Sequence, residues 1–145
     1  GESFQRWYHE GPEDKWAKGI IKAAKHGGLI CMVGYASMLS ETKPEKITVP
    51  YDPKLGFEYL KKAGMKDFQN AAWLLASNFY KKNNSYRLEF NLGKTECWAK
   101  VHDRIYPEEP YNFKLDLRLA ERSGEDIINY KKYDPKTYCQ MELKQ

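Results

Sequence analysis

Glu89, Lys100, His102 and Arg104 are the residues of this chain whose types and spacing suit chemistry. Cleavage of RNA by its own 2′-hydroxyl needs a base, an acid and cations that hold the phosphate, and these four side chains supply all three without a metal. Neighbours two apart on a strand point to one side, so His102, Arg104 and Tyr106 would share a face, with Trp98 or Tyr106 available to stack a base. The same residues have a plainer reading. In a chain that is 30% charged, a solvated sheet face carries alternating Lys, Arg and Glu, and a lone His, without any activity.

Asp103 tests that strand register. It falls between Val101 and Ile105 on the apolar side, where an unpaired carboxylate is unfavourable. Either a bulge turns it outward, or a buried cation pairs it, or the register is off by one and His102 points inward, which would dismantle the nuclease reading.

Other chemistry is weaker. Cys31 and His102 could form a thiolate and its base, with Gly27-Gly28 before a helix start, but Leu29, Ile30, Met32 and Val33 mark Cys31 as core. Glu142-Leu-Lys144 is similar to the last element of a metal-dependent nuclease, yet no upstream carboxylate matches it. The spacings of Cys31, Cys97 and Cys139, and of His9, His26 and His102, fit no metal-ligand pattern, so neither metal nor cofactor is expected.

The elements that must position these residues follow from periodicity. Residues 1–12 read as an extended arm ending at Gly11-Pro12. A helix follows, with Trp16, Ile20, Ile21 and Ala24 opposite the stripe Lys15, Lys18, Lys22 and Lys25, and it ends at Gly27-Gly28. Leu29–Leu39 is apolar nearly all round and reads as a buried helix, weakened by about 1 kcal/mol at Gly34 relative to Ala. The prolines at 44, 50 and 53 forbid a long helix there and leave room for a short edge strand at Lys46–Val49. A short helix closes at Gly64. Phe68, Ala71, Ala72, Leu75, Ala76 and Phe79 then mark one face of a helix over 67–82.

After Asn83-Asn84 the period changes to two. Tyr86, Leu88, Phe90 and Leu92 alternate with polar residues, as do Cys97, Ala99 and Val101, and then Tyr111, Phe113, Leu115, Leu117 and Leu119. Weaker runs lie at 126–130 and 137–143. The chain is therefore predicted to be a single α+β domain over 1–145: an arm at 1–12, a helical part at 13–66, and at 67–145 a four- to five-stranded antiparallel sheet packed on one long amphipathic helix. No internal repeat is apparent. Cys97 and Cys139 both fall on the expected inner face, as a disulfide in an oxidising compartment or as two buried thiols in a reducing one.

Helices followed by an antiparallel sheet resemble, in layout alone, the ribonuclease-toxin superfamily. A more visible likeness covers 67 to about 120. Asn70-Ala-Ala-Trp-Leu-Leu-Ala-Ser-Asn-Phe-Tyr-Lys-Lys-Asn-Asn-Ser-Tyr-Arg-Leu-Glu-Phe90 resembles the helix-to-strand segment of cystatin-superfamily domains. That resemblance implies a sheet wrapped around one helix, and binding or inhibition of other proteins. The Gln-x-Val-x-Gly wedge of cystatin inhibitors is missing, the nearest position reading Val101-His-Asp-Arg-Ile105.

The leading expectation is thus a non-catalytic protein-binding module of cystatin-like type, among whose activities inhibition would count. Its contacts would come from Trp98, Tyr106, Lys114 and Arg118 on the polar sheet face, since exposed aromatics among charges suit interfaces. The alternative is the RNA-cleaving domain. The net charge of +4 lacks the clustering of a duplex binder. The longest apolar run, Leu29–Leu39, is about half of the ~20 residues a membrane helix needs. Gly1 in place of Met suggests a trimmed product, and Asn83-Asn84-Ser85 fits a glycosylation acceptor. Secretion is expected if Cys97 and Cys139 are bonded, the cytoplasm if they are free.

Overall fold

Asn84 shows why the alternating segment after it joins no sheet. Its Oδ1 accepts hydrogen bonds from the Tyr86 N–H at 3.1 Å and the Leu88 N–H at 2.8 Å, and its Nδ2 donates to the carbonyls of Leu88 at 2.7 Å and Lys81 at 3.0 Å. One side chain thus does for the backbone of 86–88 what a neighbouring strand would do. The computed structural model describes residues 12–42, 49–124, 127–132 and 134–144, and among them every regular element is a helix. The predicted α+β fold with its antiparallel sheet is therefore overturned. Of the arm expected at 1–12, residues 1–11 lie outside the described residues and Pro12 opens a helix; the greater part of the expected edge strand at Lys46–Val49 also lies outside them.

The helices are α1 (Pro12–Lys25), α2 (Leu29–Leu39), α3 (Pro53–Met65), α4 (Gln69–Tyr80), α5 (Leu92–Ile105), α6 (Phe113–Ser123), α7 (Ile127–Lys131) and α8 (Pro135–Lys144). The first four stand within a few residues of their predicted positions. The stretches expected as strands are the loop before α5 and then α5, α6, α7 and α8. The helix half of the cystatin likeness is α4; its strand half is that loop and the start of α5, so the implied sheet does not form.

The chain divides into two units, 1–63 and 64–145. In the first, α1 packs on α2 and buries Ala24, Met32, Tyr35, Ala36 and Leu39, while Lys15, Lys18, Lys22 and Lys25 face solvent. Asp52 starts α3: its Oδ1 accepts from the Leu55 N–H at 3.1 Å, and its own N–H donates to Leu39 O at 2.9 Å. In the second unit, α5 packs against α4, α6, α7 and α8. Asn91 caps α5 by accepting from the Lys94 N–H at 3.0 Å, and Thr95 donates to Ala76 O at 3.0 Å.

A repeat absent from the sequence reading emerges at a spacing of 40 residues. Gly27 (φ 94°) and Asp67 (φ 61°) both occupy left-handed backbone in the turn between two helices, and their N–H groups donate to Ala24 O and Gly64 O, each at 3.1 Å. Gly28 and Phe68 then lead the next helix with matching extended geometry. Ala36 matches Ala76 and Leu39 matches Phe79, all buried. The pattern was hidden because few identities support it, among them Lys22 with Lys62, Ala23 with Ala63, Ala36 with Ala76 and Ser37 with Ser77.

Cys97 of α5 and Cys139 of α8 are bonded, with Cα atoms 5.2 Å apart, and Cys31 is free. Closing a loop of this separation, 42 residues, stabilises the fold by about 4 kcal/mol on chain-entropy grounds. Thiol titration of the denatured protein is expected to find one reactive cysteine before reduction and three after it.

Two helical glycines separate packing from propensity. A Cβ on Gly64 would lie 2.8 Å from Trp98 Cζ3 and 2.9 Å from Leu75 Cδ1, whereas one on Gly34 meets only Ile20 Cγ2 at an ordinary 3.5 Å. Gly64→Ala is expected to destabilise by about 1–3 kcal/mol through overpacking. Gly34→Ala is expected to stabilise by about 1 kcal/mol through helix propensity. Urea denaturation of the two variants reads the opposite signs.

Candidate functional site

His102 sits in the last turn of α5 and is 1% exposed. Its burial follows from helical spacing, because Trp98 lies one turn earlier on the same inward side. Both ring nitrogens have partners. Gln69 Nε2 lies 2.9 Å from His102 Nε2, and an amide NH₂ can only donate, so in the neutral imidazole Nε2 accepts and the proton resides on Nδ1. Nδ1 in turn donates to Asp103 Oδ1 at 3.0 Å. That carboxylate oxygen also accepts from the Tyr111 N–H at 2.6 Å, which ties the end of α5 to the chain returning toward α6. Asp103, the sequence's warning about register, is therefore resolved: it is half-buried and paired by hydrogen bonds, and His102 is the residue that points inward.

Aromatic rings complete the cluster. Gln69 and Trp73 stand one turn apart on α4, so both reach the end of α5. The Trp73 ring meets His102 edge-on at 5.1 Å between centroids and Tyr111 at 4.8 Å. Tyr106, which follows α5, lies 6.3 Å from the His102 ring. Trp73 and Tyr106 are 41% and 39% exposed, so a buried imidazole carries two part-exposed aromatic rings. Between Tyr106 and Tyr111 the chain displays Pro107, Glu108, Glu109 and Pro110 to solvent.

Tyr111 is anchored a second time by its hydroxyl, which donates to Asp116 Oδ2 on α6. Burial, helped by that carboxylate, holds the Tyr111 phenol well above its usual range. Burial also raises Asp116, and the hydrogen bond from Tyr111 opposes the shift. On the other side of α5, Arg104 Nη2 donates to Asp67 Oδ1 at 2.6 Å, and this pairing lowers the Asp67 carboxyl. Asp67 thus holds the left-handed turn residue between α3 and α4, which Asp tolerates better than most side chains, and also engages α5.

These positions correct the sequence reading of the site. His102 and Arg104 share no face, since two residues along a helix is more than half a turn. Arg104 is exposed and paired with Asp67, Lys100 is exposed, and Glu89 lies exposed in the loop before α5. A buried His102 with both nitrogens engaged presents no base to a polymer, and the common polar face that assembled Glu89, Lys100, His102 and Arg104 does not exist. Trp98, expected as a surface contact, is 0% exposed. Lys114 and Arg118 are exposed, one turn apart on α6. Tyr106 alone of the expected contacts joins the cluster. Gln69, Trp73 and Tyr111 were missed. Trp73 was legible as the large residue standing outside the face Phe68, Ala71, Ala72, Leu75, Ala76 and Phe79.

No group of His, Cys, Asp and Glu among the described residues is arranged to hold a metal, and none of the helices described is long and apolar enough to cross a membrane. Comparison with known protein families, curated proteins and solved structures finds no match to this chain.

The tyrosines give the site a pH signature. Tyr130 of α7 donates to Glu96 Oε2 at 3.0 Å, and burial first, then that carboxylate, raise its phenol to about 12. The fold therefore holds the Tyr111 and Tyr130 protons more tightly than the unfolded chain, whose phenols ionise near pH ~10. Their stabilisation is complete below that pH and lost as pH rises through the folded-state values. Unfolding free energy measured from pH 9 upward is expected to decline, and Tyr111→Phe is expected to make the decline shallower.

Proposed function

We propose that this chain is a non-catalytic protein-binding module whose contact surface centres on Trp73 and Tyr106 and takes an extended, basic segment of a partner. The observation that carries this reading is the half-exposed Trp73 ring, held edge-on by Tyr111 and His102 before any partner arrives. A large ring that is already immobile loses little entropy on binding, and Trp and Tyr supply a disproportionate share of interface energy. The buried hydrogen-bond chain from Gln69 through His102 to Asp103 and the Tyr111 backbone serves as the support for that ring.

The chemistry of the partner follows from what surrounds the rings. Asp103 is part-exposed beside them, and Glu108 and Glu109 project from the loop that joins Tyr106 to Tyr111. Aromatic faces with carboxylates nearby suit Lys and Arg, through cation–π contact and charge complementarity. The Cys97–Cys139 bond supports an oxidising compartment as the place of action. Without a Gln-x-Val-x-Gly wedge the reading is of binding in general, and inhibition of papain-like proteases has no residues to carry it.

Selection from a displayed library of random peptides tests the proposal. Binders rich in Lys and Arg are expected, with affinities falling roughly tenfold or more in Trp73→Ala and in Tyr106→Ala, a loss of at least ~1.4 kcal/mol each. Peptides without basic residues, or affinities indifferent to Trp73, would overturn it. Total RNA incubated with the protein in EDTA is expected to stay intact.

A further inference from the structure

A concavity lies in the 64–145 unit, between α5 and α8. It is an open groove of about 680 Å³, floored by Val101, Leu143 and the Cys97–Cys139 bond and flanked by Lys100, Arg104 and Lys136. His102 points to the opposite side of α5 from Lys100 and Arg104, so the groove is separate from the Trp73 surface. Its volume falls within the ~300–1,000 Å³ of small-molecule sites.

We infer that this groove binds a monomeric carboxylic acid with an apolar body, such as a medium-chain fatty acid, its chain on the Val101–Leu143–disulfide floor and its carboxylate among Lys100, Arg104 and Lys136. Charge argues for the anion: among the described residues that line the groove there are three cations and no carboxylate. Two carboxylates bear on these cations, and with Arg104 already paired the ligand's head falls chiefly to Lys100 and Lys136. Asp67 engages Arg104 through two of its terminal nitrogens, Nη2 at 2.6 Å and Nη1 at 3.5 Å, and a guanidinium has five N–H donors. Asp134 accepts from the Thr137 hydroxyl at 2.7 Å, and that bond first, with the Thr137 and Lys136 N–H groups and Lys100 after it, lowers its carboxyl.

The apolar floor argues for the body of the ligand. A small inorganic anion would leave Val101, Leu143 and the disulfide facing water. An extended acidic peptide would lay a polar backbone along this apolar floor, where Gln140 is the one side-chain amide in the lining. A single carboxylate on a hydrocarbon body satisfies the cations and covers the floor with no polar group stranded. Lys and Arg also bury their aliphatic stems along such a chain while their charged ends meet its head.

The test uses the oxidised full chain and a fluorescent undecanoic acid probe, displaced by competitors below their micellar concentrations. Dodecanoate is expected to displace the probe, dodecanol at least about tenfold less effectively, and acetate not at all. The double variant Lys100→Gln/Lys136→Gln is expected to weaken dodecanoate about tenfold or more while leaving dodecanol unchanged. Gln140→Trp, made at an exposed position, is expected to fill the groove and abolish probe binding, and Trp73→Ala is expected to change nothing. Absence of probe binding, equal displacement by dodecanol and dodecanoate, or indifference to the lysine pair would overturn the inference. If Gln140→Trp fails to fold, the lysine pair alone decides. Loss of basic-peptide binding would leave this result untouched, so the two readings fail separately.

Discussion

The burial of α5 on nearly every side is the constraint from which the 64–145 unit follows. Leu92, Gly93, Thr95, Cys97, Trp98, Ala99, Val101 and His102 are all buried, and with 3.6 residues per turn such a set leaves little of the helix surface free over its length. The polar residues at these inward positions must be satisfied inside, while Lys100 and Arg104 hold the stripe left open to solvent. Thr95 finds the Ala76 carbonyl and His102 finds Gln69 and Asp103. Trp98, the largest buried side chain of α5, lodges where Gly64 leaves no room even for a methyl group, and its indole Nε1 is buried with no hydrogen-bond partner among the described residues.

That enclosure explains what could and could not be read from the sequence. The helices through α4 were legible from an apolar stripe, or in α2 from an apolar run, and from the boundary residues Gly27-Gly28 and Gly64. From α5 onward the stripe is obscured. Counting Trp98 and His102 as outward made Cys97, Ala99 and Val101 look like one side of a strand, whereas helical spacing buries both sets at once. In α6 the misreading came from the opposite cause. Leu115 and Leu119 are exposed, so an alternation that paired them with Phe113 and Leu117 mixed solvent positions with inner ones. Phe113, Asp116, Leu117 and Ala120, at 0, 3, 4 and 7, are the helical set, and the polar Asp116 concealed it.

The site was legible only in fragments. Asp103 carried usable information, because a carboxylate placed between apolar neighbours could not stand in the assumed register. The Gln69–His102 contact joins residues 33 apart and has no local signal, and neither does the pairing of Trp73 with Tyr111. Such contacts depend on how α4 lies on α5, which no single-residue pattern reports. The cysteine pair was legible for an imperfect reason: both residues do face inward, but from two helices and not from two strands.

Seen mechanically, the Cys97–Cys139 bond changes how the unit carries load. Tension applied along the chain passes directly from α5 to α8 through the sulfur bridge, and the 41 residues between them form a slack loop outside the line of force. The loop holds Tyr106, Tyr111, Asp116 and the whole of α6 and α7. A tethered molecule under strain would therefore give way first in its N-terminal helices or at α4, while Tyr106, Tyr111 and α6 stay behind a covalent bypass.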